Sequence, residues 1–541
     1  MRRKADAGRL LVLTGMMLAA ALVFILLEGT DAKAHQYADV EIFEADGKRY
    51  LFLPSWADRE EEAVRHEGED VEIMQSQNLA SIEIETRSGS LDYISADKEN
   101  GEPGRMTVML ADGSEAYEGV IEEIRTRGNS TWSLPKKAFQ VRLLKKADLF
   151  GMGAAKTWIL LANGFDETGI RNTIAFEMAD SAGLAYTPES EPVDLYCNGE
   201  YQGSYLLCEK VQAGAERADI KEGFLIEREL QDRYEVAVYL EGRSGFMTDR
   251  GDCFLIESPK EPRAWQTEWI RELVQAAEDA VHAVDGIHPK TQKKWSDYLD
   301  LDSFVRKYLL EEVTKNYDGG VTSAFYYVPE GEEKLYAGPV WDYDLIFGNV
   351  MLDEMNSDPR GVTKLSNHTL GSGFYSALME QEEFRNAVFQ CFKEVYLPLL
   401  KKLLEEDIDR YAGRTEESIR MDHVRWKDMD NRYQYYESYE DNLRYLKYYV
   451  EKRTDFLKEV WLDGEIYRTV TLVVEENDWR KFYVKDGGLL GELPVPFLND
   501  HLFMGWYRSD GKKYDPYRPV YEDMLLEAKW QAVAGSETYN K

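Results

Sequence analysis

Two aspartates, Asp342 and Asp344, sit two apart in the apolar and aromatic run "GPVWDYDLIFGN". A buried charge is costly unless it is paired or holds a metal. Strand alternation would put both carboxylates on one face, facing either solvent or a cation. A third carboxylate, Asp318, lies in "EEVTKNYDGG", directly after a helical pattern and before two glycines. A carboxylate in such a loop can orient or deprotonate a hydroxyl. A second one, across a short hairpin, can hold magnesium on phosphates, the division of labour in protein kinases. The D-x-D pair also fits a metal-dependent glycosyltransferase, and paired acids fit a glycosidase.

The elements that must position these residues follow from pattern. Alternation from "ASIEIETRSGSLDYI" through "KAFQVRLL" predicts strands, and "DETGIRNTIAFEMADSAGL" a helix stopped at Gly183. "EPVDLYCNGEYQGSYLLCEKV" reads as two strands around a turn. "RAWQTEWIRELVQAAEDAVHAV", "DLDSFVRKYLLEEVTKN" and much of Phe384 to Val460 read as helices, with Asp300 or Asp302 capping the second. After Asp463 the pattern returns to short strands.

The 541 residues exceed one compact core, and 100 acidic against 65 basic side chains give a net charge of −35. Such a surface repels phosphate backbones and excludes nucleic acid as an expected partner. A basic start, "MRRK", an uncharged run from Leu10 to Leu27 and "AKA" at Ala32 predict a signal peptide or membrane anchor over 1–34. Membrane contact is expected through that segment only. The four cysteines form no C-x-x-C, and the seven histidines no metal motif. Cys197 and Cys208 read as inert buried thiols, or as a pair across a hairpin in an oxidising compartment.

Several blocks in order carry a resemblance: "RTRGNSTWSLPKKAFQVRL", "WILLANGFDETGIRNTIAFEMADSAGLAYTPESEPVDLYCNGEYQGSYLLCEKV", "DLDSFVRKYLLEEVTKNYDGG" and "GPVWDYDLIFGN". From about Ser81 to Leu462 the chain resembles the spore coat protein H (CotH) kinase family. The resemblance implies an α+β, atypical kinase-like domain with a small β-rich lobe and a larger helical lobe. It implies ATP and Mg²⁺, or Mn²⁺, and transfer to Ser/Thr of proteins. On that reading Asp318 is catalytic, and Asp342 or Asp344 binds the metal. Lys137 or Lys136 neutralises the phosphates, Lys137 being preferred because alternation turns only one to the cleft. Arg127 and Asn129 approach phosphate or brace the lysine, Glu177 pairs with the lysine, and Glu209 stands at a hinge to the base. There is no G-x-G-x-x-G and no H-R-D. Ser323 stands where ordinary kinases place a magnesium-binding Asn, so one metal, or an inactive site, is consistent with it.

The tail, with "LPVP", "GWYRSDG" and "LEAKW", resembles a Listeria–Bacteroides (internalin B) repeat, a small all-β or β-grasp-like surface module. The expected organisation is 1–34 signal or anchor, 35–80 β-rich segment, 81–465 kinase-like domain and 466–541 repeat. The expected location is extracytoplasmic, secreted or anchored, with a cell-wall or surface partner for the repeat. The rival reading is a surface scaffold whose kinase-like domain binds without catalysis.

Overall fold

The computed structural model describes residues 40–532, apart from 321, 352–353, 363–372, 430–435, 437 and 476–477. The expected signal or anchor segment lies outside the described residues. Among them no helix is long and apolar enough to cross a membrane.

A small sheet of β1 (Phe43–Ala45), β2 (Lys48–Leu53) and β3 (Glu72–Gln75) precedes the main body. The alternating strands then close on themselves. β4 (Ala80–Thr86), β5 (Gly101–Met109), β6 (Glu115–Arg127), β7 (Ala138–Asp148), β8 (Ala154–Leu161), β9 (Ser190–Cys197) and β10 (Glu200–Glu209) form a seven-stranded barrel, ordered β10-β8-β7-β6-β5-β4-β9. Closure comes from the parallel pairing of β4 with β9 and the antiparallel pairing of β9 with β10. The β9–β10 turn is only Asn198–Gly199, both at positive φ, the backbone that a tight hairpin favours. The strands expected to form a small β-rich lobe close into a barrel instead. Its interior is filled by inward residues such as Ile82, Ile124, Val141, Trp158 and Leu207.

β10 is buried on both faces. Tyr205 and Leu207 enter the barrel core, while Leu206 and Cys208 enter a second, larger core. That second core is built on the sheet β11 (Phe224–Glu229), β12 (Gly245–Met247), β13 (Cys253–Ser258), β14 (Ala324–Val328) and β15 (Tyr336–Ala337), ordered β12-β13-β11-β14-β15. Around it pack α1 (Arg171–Ser181), α2 (Gln231–Glu235), α3 (Ala264–Val281), α4 (Leu301–Thr314), α5 (Ile408–Arg425) and α6 (Tyr439–Trp461). Short α2 runs on into a helical turn at Val236–Leu240. α1 leaves the barrel between β8 and β9 to bury Ile174, Phe176 and Met178 in this second core.

The tail strands β16 (Tyr467–Glu475), β17 (Asp478–Lys485), β18 (His501–Arg508) and β19 (Met524–Ala532) form a mixed sheet, ordered β17-β16-β19-β18. It has its own core of Val470, Leu472, Trp506 and Leu526. It also seats Tyr483 against the body, where the Tyr483 carbonyl accepts from Arg360 at 2.8 Å. All four cysteines are free, and burial pushes the Cys197 and Cys208 thiols up.

One expectation fails locally. Gly338–Asn349 is no strand, since β15 ends at Ala337. Asp342 and Phe347 adopt positive φ, 71° and 49°, which breaks the pleat. Asp344 is buried and Asp342 half-buried, so the two do not share an alternating face.

Candidate active site

α4 delivers Asp318. Its N-cap is Asp300, whose carboxylate accepts from the Ser303 amide at 2.9 Å. The helix ends at Lys315 in the left-handed region. Asn316 then folds back, its amide side chain donating to Glu311 Oε2 at 2.8 Å while its Oδ1 accepts from the Asp318 amide at 3.2 Å. Gly319, directly after Asp318, has a steric reason. A Cβ on Gly319 would stand 2.7 Å from Glu311 Oε2.

The Asp342–Asp344 loop is held from three sides. The Tyr343 amide donates to Asn172 of α1 at 2.8 Å, and the Tyr343 hydroxyl donates to Glu311 Oε1 at 2.6 Å. Arg171, also of α1, donates to the Ile346 carbonyl at 3.0 Å. The Tyr317 amide donates to the Leu345 carbonyl at 3.2 Å, joining the residue before Asp318 to the one after Asp344. Asp344 consequently feels the neighbouring charges. Burial, then Asp342, Asp318 and Asp166, hold Asp344 well above the usual carboxylate range. Ser323 Oγ donates to Asp342 Oδ2 at 3.2 Å. Among the described residues no three acidic, histidine or cysteine side chains make a finished metal cage.

One cation near Asp342 is Arg127, which also belongs to a group of cations around Lys210. The Arg127 guanidinium, at the end of β6, lies over the Trp341 ring at 5.1 Å. Burial lowers its pKa against the opposing charge of Asp342. Lys210, just after β10, is pushed down to about 8 by burial and by Lys260, Arg127, Arg125 and Arg243. Glu227, on β11, is pushed up to about 7 by burial and Glu229, with Arg243 and Arg127 opposing. Beside Lys210 opens a cavity of about 440 Å³ that Glu209, Gly151, Gly153, Tyr186 and Pro339 also line.

The other expected site residues are placed as follows. Lys136 and Lys137 precede β7 and diverge. Lys136 is buried, donating to the Ser204 carbonyl at 2.7 Å and pairing with Asp422 of α5 at 2.6 Å. Lys137 donates to the Trp132 carbonyl at 2.5 Å and lies over the Trp132 ring. Asn129 is exposed ahead of the short turn Ser130–Ser133. Glu177 pairs with Arg410 at 3.2 Å and accepts from the Tyr411 hydroxyl, so it meets neither lysine. Glu209 pairs with Arg217 and accepts from the Glu189 amide at 3.0 Å.

Pattern did not single out Lys210, Arg243, Lys260, Glu227, Asp166, Glu311 or Tyr343. Lys210 had a usable signal, following Glu209 directly. The others come from separate strands and helices and share no local spacing.

The family profile described as "CotH kinase protein" matches residues 124–457. The chain belongs to the CotH kinase family. The matched span runs from the end of β6 to α6 and includes Asp318, Asp342, Asp344 and Lys210. Membership in this CotH family makes a kinase, with ATP and a divalent metal in general, the coarse functional assignment. A search of curated proteins finds no match.

Proposed function

We propose that the chain is an exported, atypical kinase that transfers the γ-phosphate of ATP to Ser/Thr hydroxyls of surface or secreted proteins. One observation carries this reading: buried Asp344 feels the charges of Asp342 and Asp318, and Arg127 feels that of Asp342, in a chain of net charge −35. In this reading the barrel is the small lobe and the helical body the large lobe. The cavity beside Glu209 takes the base, within the usual volume of small-ligand sites. Lys210 and Arg127 then face the phosphates. Lys136, bound to Asp422, braces the loop that carries Arg127 and Asn129, and Asp422 supplies the lysine's acid partner in place of Glu177.

Asp344 and Asp342, with Ser323 behind Asp342, fit a magnesium ion. Their donor set is hard oxygen, and Asp344 is a buried carboxyl raised by burial and by three neighbouring acids, a charge that a bound cation would offset. Magnesium bound there would neutralise charge on the phosphates. Asp318 orients the acceptor hydroxyl and takes its proton as the oxygen bonds to the γ-phosphorus and the bond to ADP breaks.

The test is label transfer from γ-labelled ATP, with magnesium or manganese, to the protein itself and to a serine-rich acceptor, beside calorimetric ATP binding. Transfer that needs the metal supports the reading. Binding without transfer supports the scaffold reading, which Ser323 favours because its hydroxyl is a weaker ligand than an Asn carbonyl. Transfer from a sugar nucleotide instead would make the chain a D-x-D glycosyltransferase. The tail, in this proposal, holds the enzyme to a cell-wall or surface partner.

A further inference from the structure

Asp318 is followed by Gly319 and Gly320, the residues that lose most conformational freedom on ordering. A general base on such a loop needs something to immobilise it, because displacement by about 1 Å can cost about 10²-fold in rate. Three side chains beyond the acidic cluster grip this loop.

Arg228, buried on β11, donates through one guanidinium nitrogen to the Gly320 carbonyl and through another to Asp252 Oδ1. In the strand register Arg228 lies opposite Ala324 of β14, where the loop re-enters the sheet. The next residue, Glu229, accepts from the Thr322 hydroxyl, and Arg233 of α2 donates to the same hydroxyl at 3.1 Å. Asp252, between β12 and β13, lies beside Glu278 of α3, a buried carboxyl that burial and then the Asp252 charge push up to about 8. Arg228 thus carries a rigid, two-pronged fork fixed at one end by a carboxylate and closed at the other on the Asp318 loop.

We propose that Arg228, anchored by Asp252, is a positioning residue that holds the Asp318–Gly320 turn in its reactive arrangement through the Gly320 carbonyl. The inference rests on the kinase reading for its effect on rate, but the loop clamp itself can be read without activity.

The experiment uses the full chain with Arg228→Met, Arg228→Lys and Asp252→Asn. Kinetics of label transfer are measured alongside amide hydrogen exchange of the peptide covering 316–324. Arg228→Met should lower kcat by about 10²-fold with the KM for ATP within about twofold of wild type, and should speed exchange in that peptide. Arg228→Lys, which keeps the charge but loses the fork, should recover only part of both losses. Asp252→Asn should fall between Arg228→Lys and wild type. If Arg228→Met does not fold, Arg228→Lys and Asp252→Asn carry the same comparison. Wild-type exchange in the 316–324 peptide of the folded variants would overturn the clamp. So would a loss expressed only as a higher KM for ATP. If the wild type transfers nothing, the kinase reading fails and the positioning role with it, while faster exchange in the variants leaves Arg228 a structural clamp only.

Discussion

The Tyr343 hydroxyl and the Glu311 carboxylate are 2.6 Å apart, and that contact joins the two loops on which the acids stand. Glu311 Oε1 receives Tyr343, the residue between Asp342 and Asp344, while Oε2 receives Asn316, which turns the chain toward Asp318. Lys307 completes the buried group, contacting Tyr343 Oη at 2.5 Å and pairing with Glu311.

Replacing Glu311 with Ala should destabilise the chain by roughly 3–5 kcal/mol, because it strands the Lys307 charge in the interior. Tyr343→Phe removes one hydroxyl and should cost about 1–3 kcal/mol. Denaturant titration measures both. A loss under about 0.5 kcal/mol for Glu311→Ala, the level of an ordinary surface change, would mean that the bridge does not hold the loops.

Asp342→Ala should abolish metal-dependent ATP binding while leaving the fold in place, since its half-buried side chain accepts a bond only from Ser323 in the described contacts. Calorimetry with ATP and magnesium reads the affinity, and Asp344→Ala is the paired control. Unchanged affinity in both variants would remove the pair from the site.

Asp318→Asn keeps shape but loses the proton acceptor. Transfer should fall by about 10²-fold or more, with ATP affinity nearly unchanged. Label transfer equal to wild type would end the catalytic assignment.

Asp194 on β9 gives a stability signature in pH. Burial raises its carboxyl to about 6, with bonds from Ser418, Ser76 and Tyr201 opposing. The folded chain therefore keeps a proton that the unfolded chain has released, so its contribution to stability is fully present below about pH 4 and is lost as pH rises through about 6. The loss amounts to roughly 3 kcal/mol. Asp194→Asn cannot titrate, and its stability relative to wild type should rise by that amount across this window. A constant difference between pH 4 and pH 7 would contradict the shift.

Removing residues 466–541 should leave transfer activity in place and lower the stability of the body. The tail's Tyr483 is buried, a Cβ on Gly361 would run into its ring, and Lys485 pairs with Glu459 at 2.9 Å. The single change Tyr483→Ala should cost about 3 kcal/mol. Loss of transfer in a folded truncation would make the tail part of the catalytic unit.

The strands and the main helices were legible because each rests on local spacing. The loop bearing Asp342 was not, since the left-handed turn at that residue leaves no mark in a run of apolar and aromatic side chains. Barrel closure was hidden because the β4–β9 pairing joins residues more than a hundred positions apart, for instance Ile82 with Leu195. The acid partner of Lys136 was missed for the same reason, as Asp422 comes from a helix near the far end of the matched span. Glu177, expected to pair with a lysine, is met instead by Arg410 and Tyr411 of α5.

The two-sided burial of β10 bears on how the protein can be cut and expressed. A fragment ending at Glu209 would carry Leu206, Cys208 and the apolar side of α1 out into water with nothing to cover them. A fragment beginning at Lys210 would expose the matching wall of the helical body. Each piece would present an adhesive stripe along its length, so the two halves should aggregate when made alone and recover solubility only when produced together.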